Sequence, residues 1–119
     1  TKKEITEEYS KSSISIVSSL YEGFCYPVIE AMSCETPLIA TNISSIPELV
    51  GGYATLIDPK NYEAIAGSIR RILSDYESFQ EIAVRGREHI VKTFNWDKIT
   101  KEYENVILKT IEDFKNADV

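Results

Sequence analysis

Apolar residues recur along this chain in two rhythms. Ile14–Ser18, β-branched and uncharged, reads as a buried strand, and Leu38–Thr41 and Ala54–Ile57 read as two more. Around them the apolar positions fall three and four apart. Residues 2–11, with Ile5 and Tyr9 among charges, read as the end of a helix, and Pro27–Ser33 as a short one. Asn61 is placed to cap a helix running to about Ser74, with Ile65, Ala66, Ile69, Ile72 and Leu73 on one face. Phe79, Ile82, Ala83, Ile90 and Val91 mark the next helix. Asn95 caps a last one, striped by Trp96, Ile99, Tyr103, Val106, Ile107, Ile111 and Phe114. Strands and helices in alternation, followed by terminal helices, predict an α/β fold with a parallel sheet.

Local signals sharpen the boundaries. Ser45-Ile46-Pro47-Glu48 has the spacing of a capping box, and Gly51-Gly52 stops the short helix it opens. Asp58-Pro59 closes the third strand. Pro27 suits the first helical position, where a missing N–H costs nothing. Tyr26, before it, is a poor N-cap, so the amides of Val28 and Ile29 are expected to be open to a ligand's oxygens.

Composition narrows the functional classes. The chain has 119 residues, 43% hydrophobic and 27% charged, as expected for one globular domain. A net charge of -6 disfavours nucleic acid and anionic membranes as partners. No apolar run approaches the ~20 residues of a membrane span. No secretory signal is visible, and the absence of an initiator Met gives the start an internal look. Cys25 and Cys34 lack a C-x-x-C or a neighbouring His cluster, which argues against zinc. They read as free thiols in a reducing cytosol.

The stretch Glu22-Gly23-Phe24-Cys25-Tyr26-Pro27-Val28-Ile29-Glu30 carries the chemistry. It runs from a strand through an irregular loop into a helix N-terminus, the place where α/β sheets bind ligands. Two carboxylates bracket it. Glu30 alone is equally a solvated acid stabilised by a helix N-terminus, and Glu22 equally a loop carboxylate. Gly23 serves any strand-to-helix turn. Thr41, at a strand end, either approaches a ligand or is an edge threonine. His89, alone in a helix, reads as structural, Met32 as core, and Trp96 and Tyr103 as packing.

Beyond the two acids, the sequence resembles the family-4 type of GT-B retaining glycosyltransferases, the glycosyl transferases group 1. Ser18-Ser19-Leu20-Tyr21-Glu22-Gly23-Phe24 is similar to P-S-x-x-E-G-F, and Pro27-Val28-Ile29-Glu30-Ala31-Met32 to P-x-x-E-A-M. Thr36–Thr41 resembles T-P-V-I-A-S, Ile46–Val50 resembles the P-E-V-V turn, Leu56–Pro59 resembles L-V-D-P, and Phe94-Asn95-Trp96 resembles F-S-W. These matches stand in family order over residues 15–96. Cys25 and Glu35 stand where the family has glycine, and Ser18 where it has proline.

The resemblance implies a Rossmann-like domain with a parallel sheet and flanking helices, residues 1–119 forming part of the donor-binding C-terminal domain. The acceptor domain and the strands that supply basic residues would lie outside it. Glu30 would bind the ribose of a nucleoside-diphosphate sugar and Glu22 the hexosyl hydroxyls. The backbone of Gly23, Phe24, Cys25, Tyr26, Pro27 and Val28 would contact sugar and phosphate, with Thr41 near the nucleotide. The reaction implied is front-face transfer with retention, in which Glu22 stabilises charge without a covalent intermediate. No cofactor or metal is implied. The acceptor would be a glycan or glycolipid held by the other domain, in the cytoplasm or at the inner membrane face. The last helix offers a surface for self-association, and a non-catalytic nucleotide-binding or interaction module is the alternative.

Overall fold

Leu38–Thr41, buried at all four positions, is the centre of the molecule. The computed structural model describes residues 1–117 and is an α/β fold. In chain order the elements are α1 (Lys2–Lys11), β1 (Ser15–Val17), α2 (Tyr26–Ser33), β2 (Leu38–Thr41) and α3 (Ile46–Val50). These are followed by β3 (Thr55–Ile57), α4 (Tyr62–Ser74), α5 (Tyr76–Thr93) and α6 (Trp96–Asn116). The sheet order is β1-β2-β3, parallel throughout, with Ile16 opposite Ile39 and Ala40 opposite Leu56.

Side chains alternate across β2, so each face of the sheet has its own core. Leu38 and Ala40 join Val17, Cys25, Val28, Ala31, Met32, Ile46, Leu49, Val50 and Ile90 on the face covered by α2, α3 and α5. Ile39 joins Ile57 and Ile72 on the other face, under α4. On the first face α5 crosses α2 at Gly86, where an added Cβ would sit 3.2 Å from Met32 Cε and from Tyr53 Cβ. The bare glycine sets how closely the two helices approach.

The strand expected to be buried at Ile14–Ser18 is shorter and less covered. β1 is an edge strand, and Ile16 is 44% exposed. It shares the α4 face with Ile39, but α4 packs over β3 and leaves the β1 side open. The capping box at Ser45 does not form. Ser45 sits at φ -80, ψ -12, a helical rather than extended conformation, so its hydroxyl cannot turn back to the helix amides. Its buried Oγ has no partner, and the Ile46 amide donates to the Ile43 carbonyl instead.

Asn61 and Asn95 cap α4 and α6 as their positions predict, the first through the Ala64 amide at 2.9 Å, the second through the amides of Asp97 and Lys98. At the end of α2, the Thr36 amide donates to Ala31 and the Glu35 amide to Met32. This paired closure needs a left-handed residue between them. Glu35 fills that place at φ 58. Its side chain meets Arg87 at 3.3 Å, and its carbonyl accepts from Gln80. α6, like α1, buries no residue, and with its 21 residues the molecule is long, 64 × 29 × 28 Å.

Candidate functional site

The loop between β1 and α2 begins where Val17 enters the core and ends at Cys25, the N-cap of α2. Cys25 is fully buried, as is Val28 three residues on. Both side chains point into the core, so these two residues can offer a ligand only backbone. Tyr26 occupies the first turn and Pro27 follows it, one position later than expected. The Cys25 side chain makes no capping bond.

The first-turn amides are not all open as expected. The Val28 amide donates to the Cys25 carbonyl at 3.2 Å, and the Tyr26 amide to the Phe24 carbonyl at 3.1 Å. With no side-chain cap available, the backbone closes on itself by tight turns. Among the described residues the Ile29 amide shows no acceptor, as expected, and further free donors lie earlier. Among the described residues, the amides of Gly23, Phe24 and Cys25 have no hydrogen-bond acceptor. They follow Glu22 directly.

Glu22 is half-buried, and its Oε1 accepts a hydrogen bond of 2.6 Å from the Ser19 hydroxyl. The Ser19 carbonyl in turn accepts from the Thr41 hydroxyl at 2.7 Å. Thr41 is 1% exposed at the end of β2, and its only hydroxyl proton is spent on Ser19. Burial pushes the Cys25 thiol up from its ordinary range, and the charge of Glu22 adds to the effect. The thiol is therefore held neutral beside that carboxylate.

Glu30 lies exposed within α2, on the turn after Pro27. Its Oε2 accepts from the Tyr9 hydroxyl at 3.4 Å. Burial raises the Tyr9 hydroxyl above its usual range, and the neighbouring Glu30 charge raises it further. Sequence reading placed Tyr9 in a helix but not beside the site. The nearest signal was the apolar spacing of Ile5 and Tyr9 in α1. Ser19 lay inside a recognised motif, and nothing in the sequence aimed its hydroxyl at Glu22.

The rest of the loop is aromatic. Phe24 meets Tyr26 edge-on at 5.2 Å between centroids, and Phe94 at 5.8 Å. Tyr21 is 82% exposed and Trp96 79%. His89 lies away from the loop. Its Nε2 is 3.2 Å from the Leu49 carbonyl at the end of α3, so that nitrogen is the donor, and Nδ1 accepts from Thr93. Among the described residues no cluster of His, Cys, Asp or Glu is arranged to hold a metal ion, and no helix is long and apolar enough to cross a membrane.

The chain is similar to proteins of known family and structure. The family model described as "Glycosyl transferases group 1" matches residues 1–89. The chain belongs to this family. The O-antigen chain mannosyltransferase B of Escherichia coli is 36% identical over 97 residues, which are 82% of this chain and 25% of that protein. Sucrose-phosphate synthase from Thermosynechococcus elongatus superposes with a TM-score of 0.80 at 30% identity, over 89% of this chain and 27% of that one. Anabaena Alr3699/HepE, solved in complex with UDP-glucose, has the same fold, with a TM-score of 0.80 at 21% identity over 88% of this chain and 30% of its own. The chain spans about a quarter of the length of these proteins. Its architecture is that of the C-terminal part of a GT-B glycosyltransferase.

Proposed function

We propose that this chain carries the donor half-site of a retaining hexosyltransferase that uses a nucleoside-diphosphate sugar. One observation carries the reading. Three consecutive unpaired amides, Gly23 to Cys25, stand directly after a carboxylate, Glu22, whose side chain is already held by a hydrogen bond. Unpaired amides suit the oxygens of a sugar and a diphosphate. A carboxylate accepts from hydroxyls and repels phosphate, so Glu22 suits the sugar. Glu30, exposed one element further on, can accept from both vicinal hydroxyls of a ribose. Tyr9 limits its freedom by bonding one oxygen.

The chemistry follows from these groups. Transfer to an acceptor hydroxyl develops positive charge on the sugar ring and negative charge on the departing diphosphate. Glu22 faces the first and the loop amides the second. No residue beside Glu22 supplies a second carboxylate as acid or nucleophile within the loop, so the departing phosphate takes the acceptor's proton. The acceptor, a glycan or glycolipid, is bound by the rest of the parent, which works in the cytoplasm on polysaccharide or glycolipid assembly. The name of the Escherichia coli relative supports that setting. A non-catalytic role loses part of its support, because the Cys25 side chain lies in the core and does not fill the loop.

The test is a titration of the chain with UDP, GDP, ADP and their hexose conjugates, followed by amide NMR shifts. One nucleotide sugar should move the resonances of residues 22–28 and 30, and Glu30→Ala should weaken it about tenfold, the scale of a hydrogen bond to a charged group. Shifts confined to other surfaces, or none with any nucleotide, would reject a donor site here.

A further inference from the structure

We infer that Ser19 and Thr41 are positioning residues for Glu22, a two-bond relay that fixes the carboxylate from the end of the central strand. The inference rests on the donor-site reading given above and assigns new roles within that site. Thr41 is 1% exposed, and its hydroxyl donates to the Ser19 carbonyl at 2.7 Å. Ser19 then donates its own hydroxyl to Glu22 Oε1 at 2.6 Å. Each hydroxyl has one proton, so each link has a direction, running from the strand toward the carboxylate.

The relay ends on a firm support. β2 is buried at every position and hydrogen-bonded on both sides, to β1 and β3. The loop it steadies carries no regular structure of its own from Ser18 to Cys25. Without the relay, Glu22 would be a loop side chain with free rotamers. Ordering it would then have to occur at the moment of binding. With the relay, Oε1 is committed to the Ser19 hydroxyl, while Oε2 accepts from no hydroxyl or N–H among the described residues. That oxygen is left for a hydroxyl of the bound sugar. Cys25, buried against the same carboxylate, closes the inner side without offering charge.

This assignment separates Thr41 from the ligand. Its proton is spent inside the protein, and its side chain is covered. A substitution there acts on the donor only through Ser19 and Glu22.

The test uses Ser19→Ala, Ser19→Thr, Thr41→Val and Thr41→Ser, each alone and with Glu22→Ala. In the ligand-free protein, three-bond scalar couplings report the χ1 rotamer of Glu22. Wild type and the two hydroxyl-keeping variants should show one rotamer, and Ser19→Ala and Thr41→Val an averaged one. A Glu22 that averages in wild type, or stays fixed in Ser19→Ala, overturns the relay.

The second readout is affinity for UDP-glucose against UDP, and for GDP-mannose against GDP. Ser19→Ala should weaken the conjugate about tenfold and the bare nucleotide less than about twofold. That loss should vanish in the Glu22→Ala background. Equal loss for conjugate and nucleotide, or a loss that persists without Glu22, makes Ser19 merely structural and overturns the assignment. If wild type binds none of the four compounds, the donor-site reading fails, and the couplings still decide whether the relay holds Glu22.

Discussion

α2 and α6 are both helices striped with apolar residues, and they end in opposite states. α2 has eight residues and fully buries Val28, Ala31 and Met32. α6 has 21 residues and buries none, leaving Trp96, Tyr103 and Phe114 more than two-thirds exposed. Periodicity alone does not distinguish them. What separates them is a partner: α2 lies between the sheet and α5, and α6 runs off beyond the core. α6 is held by its Asn95 cap and by the flanking pair Lys98–Glu102, contributions of about 1 kcal/mol and about 0.3–0.5 kcal/mol respectively. Packing, by contrast, stabilises α2 by several kcal/mol.

Substitutions can break or sharpen this contrast. The largest effect belongs to Met32→Ala, which empties a 1%-exposed site under Gly86. It should cost about 2–5 kcal/mol in urea unfolding of the chain. A cost below ~1 kcal/mol would mean that the α2–α5 contact is loose. Next comes Gly51→Ala. At φ 55 the new Cβ would lie 2.7 Å from the His89 ring, which would have to leave the Leu49 carbonyl. A loss of about 2–3 kcal/mol is expected, combining left-handed strain with a broken hydrogen bond. Gly52→Ala, with open space around it, should cost less and calibrates the strain alone.

Asn95→Ala removes the cap from α6 and should cost about 1 kcal/mol of helix stability. The signal should appear as lost far-UV helicity without a matching shift in the unfolding midpoint of the core. A coincident loss of both would show that α6 is tied to the core after all. Glu35→Gly works in the other direction. It relieves a left-handed glutamate and gives up an exposed pair with Arg87. A gain of up to about 1 kcal/mol in thermal unfolding is expected, since the strain outweighs a surface ion pair. Smallest of all is Ile107→Ala on the exposed stripe, within about 0.5 kcal/mol of wild type in the isolated chain.

The same contrast explains what the sequence disclosed. The caps at Asn61 and Asn95 were legible because each depends on residues close together in sequence, and the parallel sheet was legible from the alternation of strands with helices. So was the run from Glu22 to Glu30 as a loop leading into a helix, through its motif spacing. The exposure of Ile16 was not, since it depends on how far α4 reaches across the sheet. The failed capping box at Ser45 turned on a single backbone torsion. Of the two first-turn amides expected to be open, that of Val28 closed on the Cys25 carbonyl once no side chain capped the helix, and further open amides lay at Gly23 to Cys25. Thr41 and Ser19 sit 22 residues apart, and only the strand crossing brings one hydroxyl to the other's carbonyl.

Phe24 and Phe94 give the long helix a mechanical meaning. Phe94 stands immediately before the cap of α6, and its ring meets Phe24 edge-on, within the loop that carries Glu22. The root of a lever some 30 Å long, at 1.5 Å per residue, thus rests against the loop's own aromatic buttress. The contact between the two rings joins the start of α6 directly to that loop.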